Sequence, residues 1–172
     1  MTLIIAIDVG VKNLGICAYS FLNNKVVFWD NVSLTPNGRY IPAQNVQYVR
    51  DFVTKHLHLF ENAMAIVVER QMRCNMRIIE AVFQTMFFDR CFVVTPRSVK
   101  VHYNLSTRNY RTNKAKAVEW TQFFLMNNPD ALTEECAKSF KDAKKQDDFA
   151  DALLLVMYYL DTYSNQTDKH HG

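Results

Sequence analysis

Glycine and proline are scarce in this chain, with four of each among 172 residues. That scarcity excludes a collagenous, linker-rich or low-complexity polypeptide. Cysteine is equally sparse. Cys17, Cys74, Cys91 and Cys136 form no Cys-x-x-Cys pair, so the spacings of structural zinc sites are absent. Cys17 and Cys91 lie in apolar, strand-like runs and read as buried thiols of a reducing, intracellular compartment. No apolar run reaches membrane-spanning length, and no basic-then-apolar signal precedes the first strand. A membrane location is therefore not expected. Met1 leads almost directly into that strand, leaving little room for a transit peptide. Acidic residues are missing from one long stretch. Between Arg90 and Val118 there is no Asp or Glu, while Arg97, Lys100, Arg108, Arg111, Lys114 and Lys116 all fall there. Tyr103 and Tyr110 are interleaved with them. Basic side chains with aromatics between them suit a polyanion with stackable bases, although a solvated basic loop would look similar.

What is present supports one domain with a real core. Apolar residues make up 49% of the chain and aromatics 13%, which argues against disorder. The net charge of +3 is mild. Residues 3–8 read as a buried strand. Residues 14–21 and 25–32 read as a hairpin joined at Asn23-Asn24, with Gly10 and Gly15 bracketing the turn between the first two strands. A loop over 33–42 leads to a helix over 43–59. A strand at 64–69, a helix at 75–88 and a strand at 91–95 follow. After a loop over 102–110 come a helix from 112 to 126, a polar segment over 130–144 and a last helix over 146–163. The order predicts an α/β fold: a five-stranded mixed sheet with helices on both faces, in one domain over 1–163, then a polar tail over 164–172. The wide apolar stripe of the 75–88 helix suits the core alone, or the core plus a dimer contact.

Four acids stand out from this frame. Asp8 ends the apolar run Ile4–Ile7, and Glu69 ends Ala65–Val68. A carboxylate behind an apolar strand is costly unless it binds something. Asp148 and Asp151 stand three apart on the last helix and share a face. Each has an ordinary alternative: Asp8 as a turn residue, Glu69 paired with Arg70 or Arg73, and the two late acids as first-turn residues favoured by the helix dipole. Together they suggest a carboxylate cluster for divalent metal. Two ions about 3.5–4 Å apart would activate a water and stabilise a phosphodiester leaving oxygen. Asp147 is i−4 from Asp151, and periodicity does not choose between Asp147 and Asp148.

Several motifs then carry a resemblance. Asp8-Val9-Gly10-Val11-Lys12-Asn13, Val68-Glu69-Arg70-Gln71, the basic run Tyr110–Glu119 and Lys145–Ala152 resemble, in order, the motifs of RuvC-type Holliday junction resolvases. These belong to the ribonuclease H-like superfamily, and the resemblance is to the branch of poxviruses and related large DNA viruses. It implies a homodimer that makes paired, symmetric nicks in four-way DNA with two magnesium or manganese ions per site and no organic cofactor. It maps the acids onto Asp8, Glu69, Asp148 and Asp151, choosing Asp148 over Asp147, and a catalytic lysine onto Lys114. Ala115 stands where viral relatives often carry a second basic residue, with Lys116 beside it. Arg70, Arg73 and Arg77, and Arg108, Arg111 and Lys116, are the DNA contacts expected. Sites of viral DNA replication would be the place of action. Ribonuclease H proper fits less well, since the 43–59 helix offers only Asp51 for that family's helical acid. The alternatives are another nuclease of the superfamily, acting on RNA–DNA hybrids or flaps, and a non-catalytic nucleic-acid-binding domain.

Other residues are expected to be structural. His56 and His58 face different directions and read as surface residues. His170-His171 lies in the tail. Trp29, Trp120 and Phe123-Phe124 are expected to pack in or near the core.

Overall fold

Five strands form one mixed sheet: β1 (Leu3–Asp8), β2 (Leu14–Ser20), β3 (Lys25–Val32), β4 (Ala63–Glu69) and β5 (Cys91–Val94). Their order is β3-β2-β1-β4-β5. The first three form an antiparallel meander, while β4 runs parallel to β1, and β5 to β4. The computed structural model describes residues 2–35 and 38–164. The proline and asparagine expected in the 33–42 loop at 36 and 37, and the tail beyond 164 with its two histidines, lie outside the described residues.

β1 is central and is covered on both faces, which is why it reads as an unbroken apolar run. Alternation sends Ile5 and Ile7 to one face and Ile4 and Ala6 to the other. The first face packs α1 (Asn45–Lys55), α2 (Leu57–Glu61) and α3 (Cys74–Met86), through Val49, Phe52, Phe60, Ile79 and Phe83. The second packs α4 (Pro96–His102), α5 (Tyr110–Asn127), α6 (Glu134–Asp142) and α7 (Gln146–Tyr159). Helix α7 lies deepest, with Ala150 and Ala152–Val156 buried. At its C-terminus the chain widens into a π-helical turn, Leu160–Ser164.

Five expectations are corrected. The single 43–59 helix is a 3-10 turn (Pro42–Gln44), then α1, then a break at His56 before α2. His56 is buried at that break, against the rings of Phe28 and Phe52; a helical phase that assumed no break had put it at the surface. Pro96 does not merely end β5. It opens α4, where its missing N–H costs nothing, and Thr95 caps the helix by accepting from the Ser98 N–H at 3.1 Å. The polar segment 130–144 holds α6, capped by Thr133, with Cys136 and Phe140 one turn apart on its buried side. Of Phe123-Phe124, only Phe124 packs, stacked on the half-buried Trp120; Phe123 is 68% exposed. Trp29 is buried as expected. It stacks on Phe140, and its indole N–H donates to the Phe149 carbonyl at 2.9 Å, pinning the start of α7 to β3.

Candidate active site

One register row across the sheet builds the site. Asn31 of β3 pairs with Gly15 of β2, and Gly15 with Asp8 of β1. One step beyond the Ile7–Val68 pair, Asp8 comes beside Glu69 of β4. Alternation aims this whole row at the α7 side, because Trp29, Cys17, Ala6 and Val67, each two residues away along its strand, all lie in the core under α7. Gly15 is a notch in the row. A Cβ there would stand 2.5 Å from the Asp148 carbonyl oxygen and 3.5 Å from the Ala152 Cβ. The missing side chain lets the first turn of α7 settle onto the sheet, which delivers Asp148 and Asp151 to Asp8 and Glu69.

The electrostatics follow from that convergence. Burial pushes the Asp8 carboxyl well above its ordinary value, and the charges of Glu69, Asp151 and Asp148 push it further. Burial also raises Glu69, helped by the Asp151 charge. A hydrogen bond with Asp8, the Lys100 charge and Gln71 oppose this without cancelling it. Both strand-end carboxyls thus hold their protons more tightly than an isolated carboxyl does. Asp148 is buried, and burial and the Asp147 charge raise it against Lys114, Asn31 and Lys145. Its Oδ2 accepts from the Asn31 amide at 2.6 Å. Asp151 receives the Lys100 ammonium of α4 at 2.7 Å.

Lys114 stands at the rim. Its ammonium pairs with Asp147, lies 3.8 Å from Asp148 Oδ1 and sits 5.4 Å from the centre of the Tyr110 ring. Partial burial works to lower its pKa, but Asp147 and Tyr110 outweigh burial and hold it above the ordinary lysine value. Of the two acids that periodicity left open, Asp148 is the one whose charge reaches Asp8, while Asp147 pairs with Lys114, which also lies near Asp148.

The donor set suits a hard divalent cation. All the converging groups are carboxylates, and the Asp8–Glu69 pair keeps excess negative charge that a proton or a cation must offset. The cage is not closed as it stands. Among the described residues, no three acidic, histidine or cysteine side chains are already arranged to hold a metal ion. Asp148 and Asp151 are turned toward Asn31 and Lys100 instead.

The basic residues divide. Arg73, Arg77, Arg108 and Arg111 are exposed, and Lys116 is half-buried. Arg70 pairs with the buried Glu80 at 3.2 Å, and Glu80 also accepts the Gln71 N–H at 2.8 Å. Arg70 thus braces the β4–α3 loop. Two side chains at the site were not foreseen as site residues. Lys100 carried a signal, as a member of the acid-free run. Asn31 carried none, since only the strand register brings it there.

A family model described as Poxvirus A22 protein matches residues 2–162. No curated protein sequence matches the chain. Among solved structures, the fowlpox virus Holliday junction resolvase superposes with a TM-score of 0.65 at 18% identity, over 93% of this chain and 98% of that one. The yeast mitochondrial Holliday junction resolvase Ydc2 gives 0.65 at 18% identity, over 97% and 85%. Thermus thermophilus RuvC, in complex with a Holliday junction substrate, gives 0.56 at 14% identity, over 95% and 98%. The fold is the ribonuclease H-like fold of RuvC-type resolvases, with the expected five-stranded mixed sheet.

Proposed function

The chain belongs to the poxvirus A22 protein family, and on that premise we propose that it is a Holliday junction resolvase: a structure-selective endonuclease that nicks four-way DNA. One observation carries the reading. Adjacent parallel strands end in Asp8 and Glu69, and Asp148 and Asp151 lie within electrostatic reach of them. The sequence motifs and the fold shared with solved Holliday junction resolvases support it.

Asp8, Glu69, Asp148 and Asp151 would hold magnesium or manganese, two ions per site. A bound ion of this class lowers the pKa of a water and stabilises the oxygen that leaves phosphorus. The chain's own groups do the rest. Asn31 fixes the Asp148 carboxylate. Lys100 holds Asp151 in place and offsets its charge. Lys114, beside Asp148 and always charged at neutral pH, offers its ammonium to the phosphate as negative charge builds. Arg73, Arg77, Arg108, Arg111 and Lys116 supply exposed or half-exposed cations for the DNA backbone.

Symmetric paired nicks need two sites related by a two-fold axis. A groove of about 520 Å³ between α1 and α3 supports a homodimer. Val46, Ile78 and Met86 line it, 53%, 45% and 40% exposed, and a second copy of α3 is the occupant proposed. Viral DNA replication sites are the proposed place of action, on the strength of the viral family; no described helix is long and apolar enough to cross a membrane.

A cleavage assay on a synthetic four-way junction, with flap, RNA–DNA hybrid and plain duplex beside it, tests the function. Two magnesium-dependent nicks placed symmetrically across the branch point are expected. Cleavage of the hybrid in preference to the junction would replace this function with the ribonuclease alternative.

A further inference from the structure

A second group of cations lies near the carboxylates, formed by lysines of the β1–β2 loop and the α6–α7 connection. A cavity of about 540 Å³ lies between the β1–β2 loop, the β3 end and the α6–α7 connection. Lys12, Lys144 and Lys145 line it, with Asp30 and Asp142 as the acids. Three lysines against two carboxylates leave one net positive charge on the lining.

The cluster is built rather than scattered. The β1–β2 loop begins right after Asp8 and folds back tightly at Gly10, where a Cβ would stand 2.2 Å from the Asn13 carbonyl oxygen. With its amide oriented to satisfy both ends, Asn13 accepts from the Lys145 ammonium at 2.9 Å. That bond ties the loop to the residue preceding α7. An ammonium has three donors, so Lys145 keeps two for a ligand, and Lys12 is exposed with no ion pair among the described residues. Asn31, which fixes Asp148, forms part of the same wall.

We propose that this cavity seats one backbone phosphate of the substrate DNA, with the Lys12 and Lys145 ammoniums as its ligands, and so sets the strand's register against the four acids. The inference rests on the nucleic-acid substrate proposed above. It adds a phosphate seat beside the end of β3, made by lysines outside the basic segment that sequence composition singles out.

The test pairs Lys12→Ala/Lys145→Ala with Lys12→Arg/Lys145→Arg. Junction binding is measured from 50 to 200 mM salt, without divalent metal. Losing one phosphate contact lowers the log–log salt slope by about 0.9, so over this range wild type weakens about 3.5-fold more than the alanine pair. The arginine pair keeps the wild-type slope. Methylphosphonate linkages walked along the DNA should find one position that weakens wild type and leaves the alanine pair unaffected. An unchanged slope, or a penalty at every position that the alanine pair shares, overturns the seat. A second measurement does not depend on junctions. Titrating the wild-type protein with hexathymidylate should shift the backbone amides of Lys12, Asn13 and Lys145, and unmoved amides overturn the proposal. If wild type fails to cleave the junction with magnesium, the resolvase function falls, and the hexathymidylate shifts still decide the phosphate seat.

Discussion

Gly15→Ala tests how the site is assembled. The new Cβ would meet the Asp148 carbonyl oxygen at 2.5 Å, where ordinary contact begins near 3.4 Å, so about 0.9 Å must be found. The obstacle is backbone and cannot rotate aside, so the first turn of α7 has to lift from β2 and take the Asp148 side chain with it. Overpacking of this kind costs roughly 1–3 kcal/mol, or about 2–12 °C in Tm for a chain of this size. A displacement near 1 Å at a catalytic group costs on the order of 100-fold in rate. The assay is single-turnover junction nicking with saturating magnesium, well below the variant's Tm, beside thermal unfolding. Ile79→Val is the control. It trims the opposite core by about 0.5–1.5 kcal/mol without touching α7, and it should nick like wild type. Wild-type nicking by Gly15→Ala, or an equal loss in the control, would refute the notch.

Asp8→Asn should abolish nicking while sparing junction binding, and in EDTA it should stabilise the protein increasingly as pH rises. The sign follows from the raised Asp8 and Glu69 values. Below the ordinary carboxylate range both states are protonated and nothing is gained. Above it the unfolded chain releases its protons before the folded one does, so wild-type stability falls by up to about 1.4 kcal/mol per pH unit per proton until the folded values are passed. A flat difference between variant and wild type across pH 4–8, measured by urea unfolding, would contradict the raised carboxyl values. Asn31→Ala frees Asp148 from its 2.6 Å bond; a stability loss of about 1.5–3 kcal/mol and weaker magnesium-dependent nicking are expected, with Asn31→Asp worse because it adds a fifth charge. Lys100→Met leaves the buried end of Asp151 without its ammonium and should lower the metal-free Tm, with added magnesium recovering part of it; no recovery would place Asp151 outside the cation's reach. Ile78→Glu on the α1–α3 groove should yield monomers in sedimentation that still fold, and dimers unchanged by that substitution would move the interface elsewhere.

The strand-borne half of the site was legible because a carboxylate terminating an apolar strand violates the burial pattern around it. Asp8 and Glu69 announce themselves that way, and the i, i+3 spacing of Asp148 and Asp151 needs only a helix to be meaningful. Lys100 and Asn31 were not legible as site residues for a shared reason: what brings them in is tertiary. Asn31 reaches Asp148 through the β2–β3 register, and Lys100 reaches Asp151 because α4 crosses beside α7. Local signals for the missed helices existed but were outweighed. Thr95-Pro96 is a helix start as well as a strand stop, and Thr133 with Glu134 and Glu135 is a capped N-terminus charged as its dipole prefers. Each helix buries so few apolar residues, Val99 in one and Cys136 and Phe140 in the other, that periodicity is faint. His56 fails differently. Its burial depends on a helix break that no glycine or proline marks.

The acids differ in how firmly they are held, and that difference bears on the chemistry proposed. Asp8 and Glu69 ride on two paired strands at the centre of the sheet, where neither can shift without disturbing both cores. Asp148 and Asp151 ride on one helix, and the polar partners that hold them, Asn31 and Lys114 for the first and Lys100 for the second, are ones a cation would have to displace. Closing a cation cage therefore asks little of the sheet and concerns α7, the one element whose seating depends on Gly15. The ammoniums of Lys100 and Lys114 offset part of the acids' charge. Under the proposed function, a bound cation would take over that offset, and the ammoniums would be free to meet the phosphate. The cost of assembling the site and the stabilisation of the proposed reaction would then draw on one set of side chains.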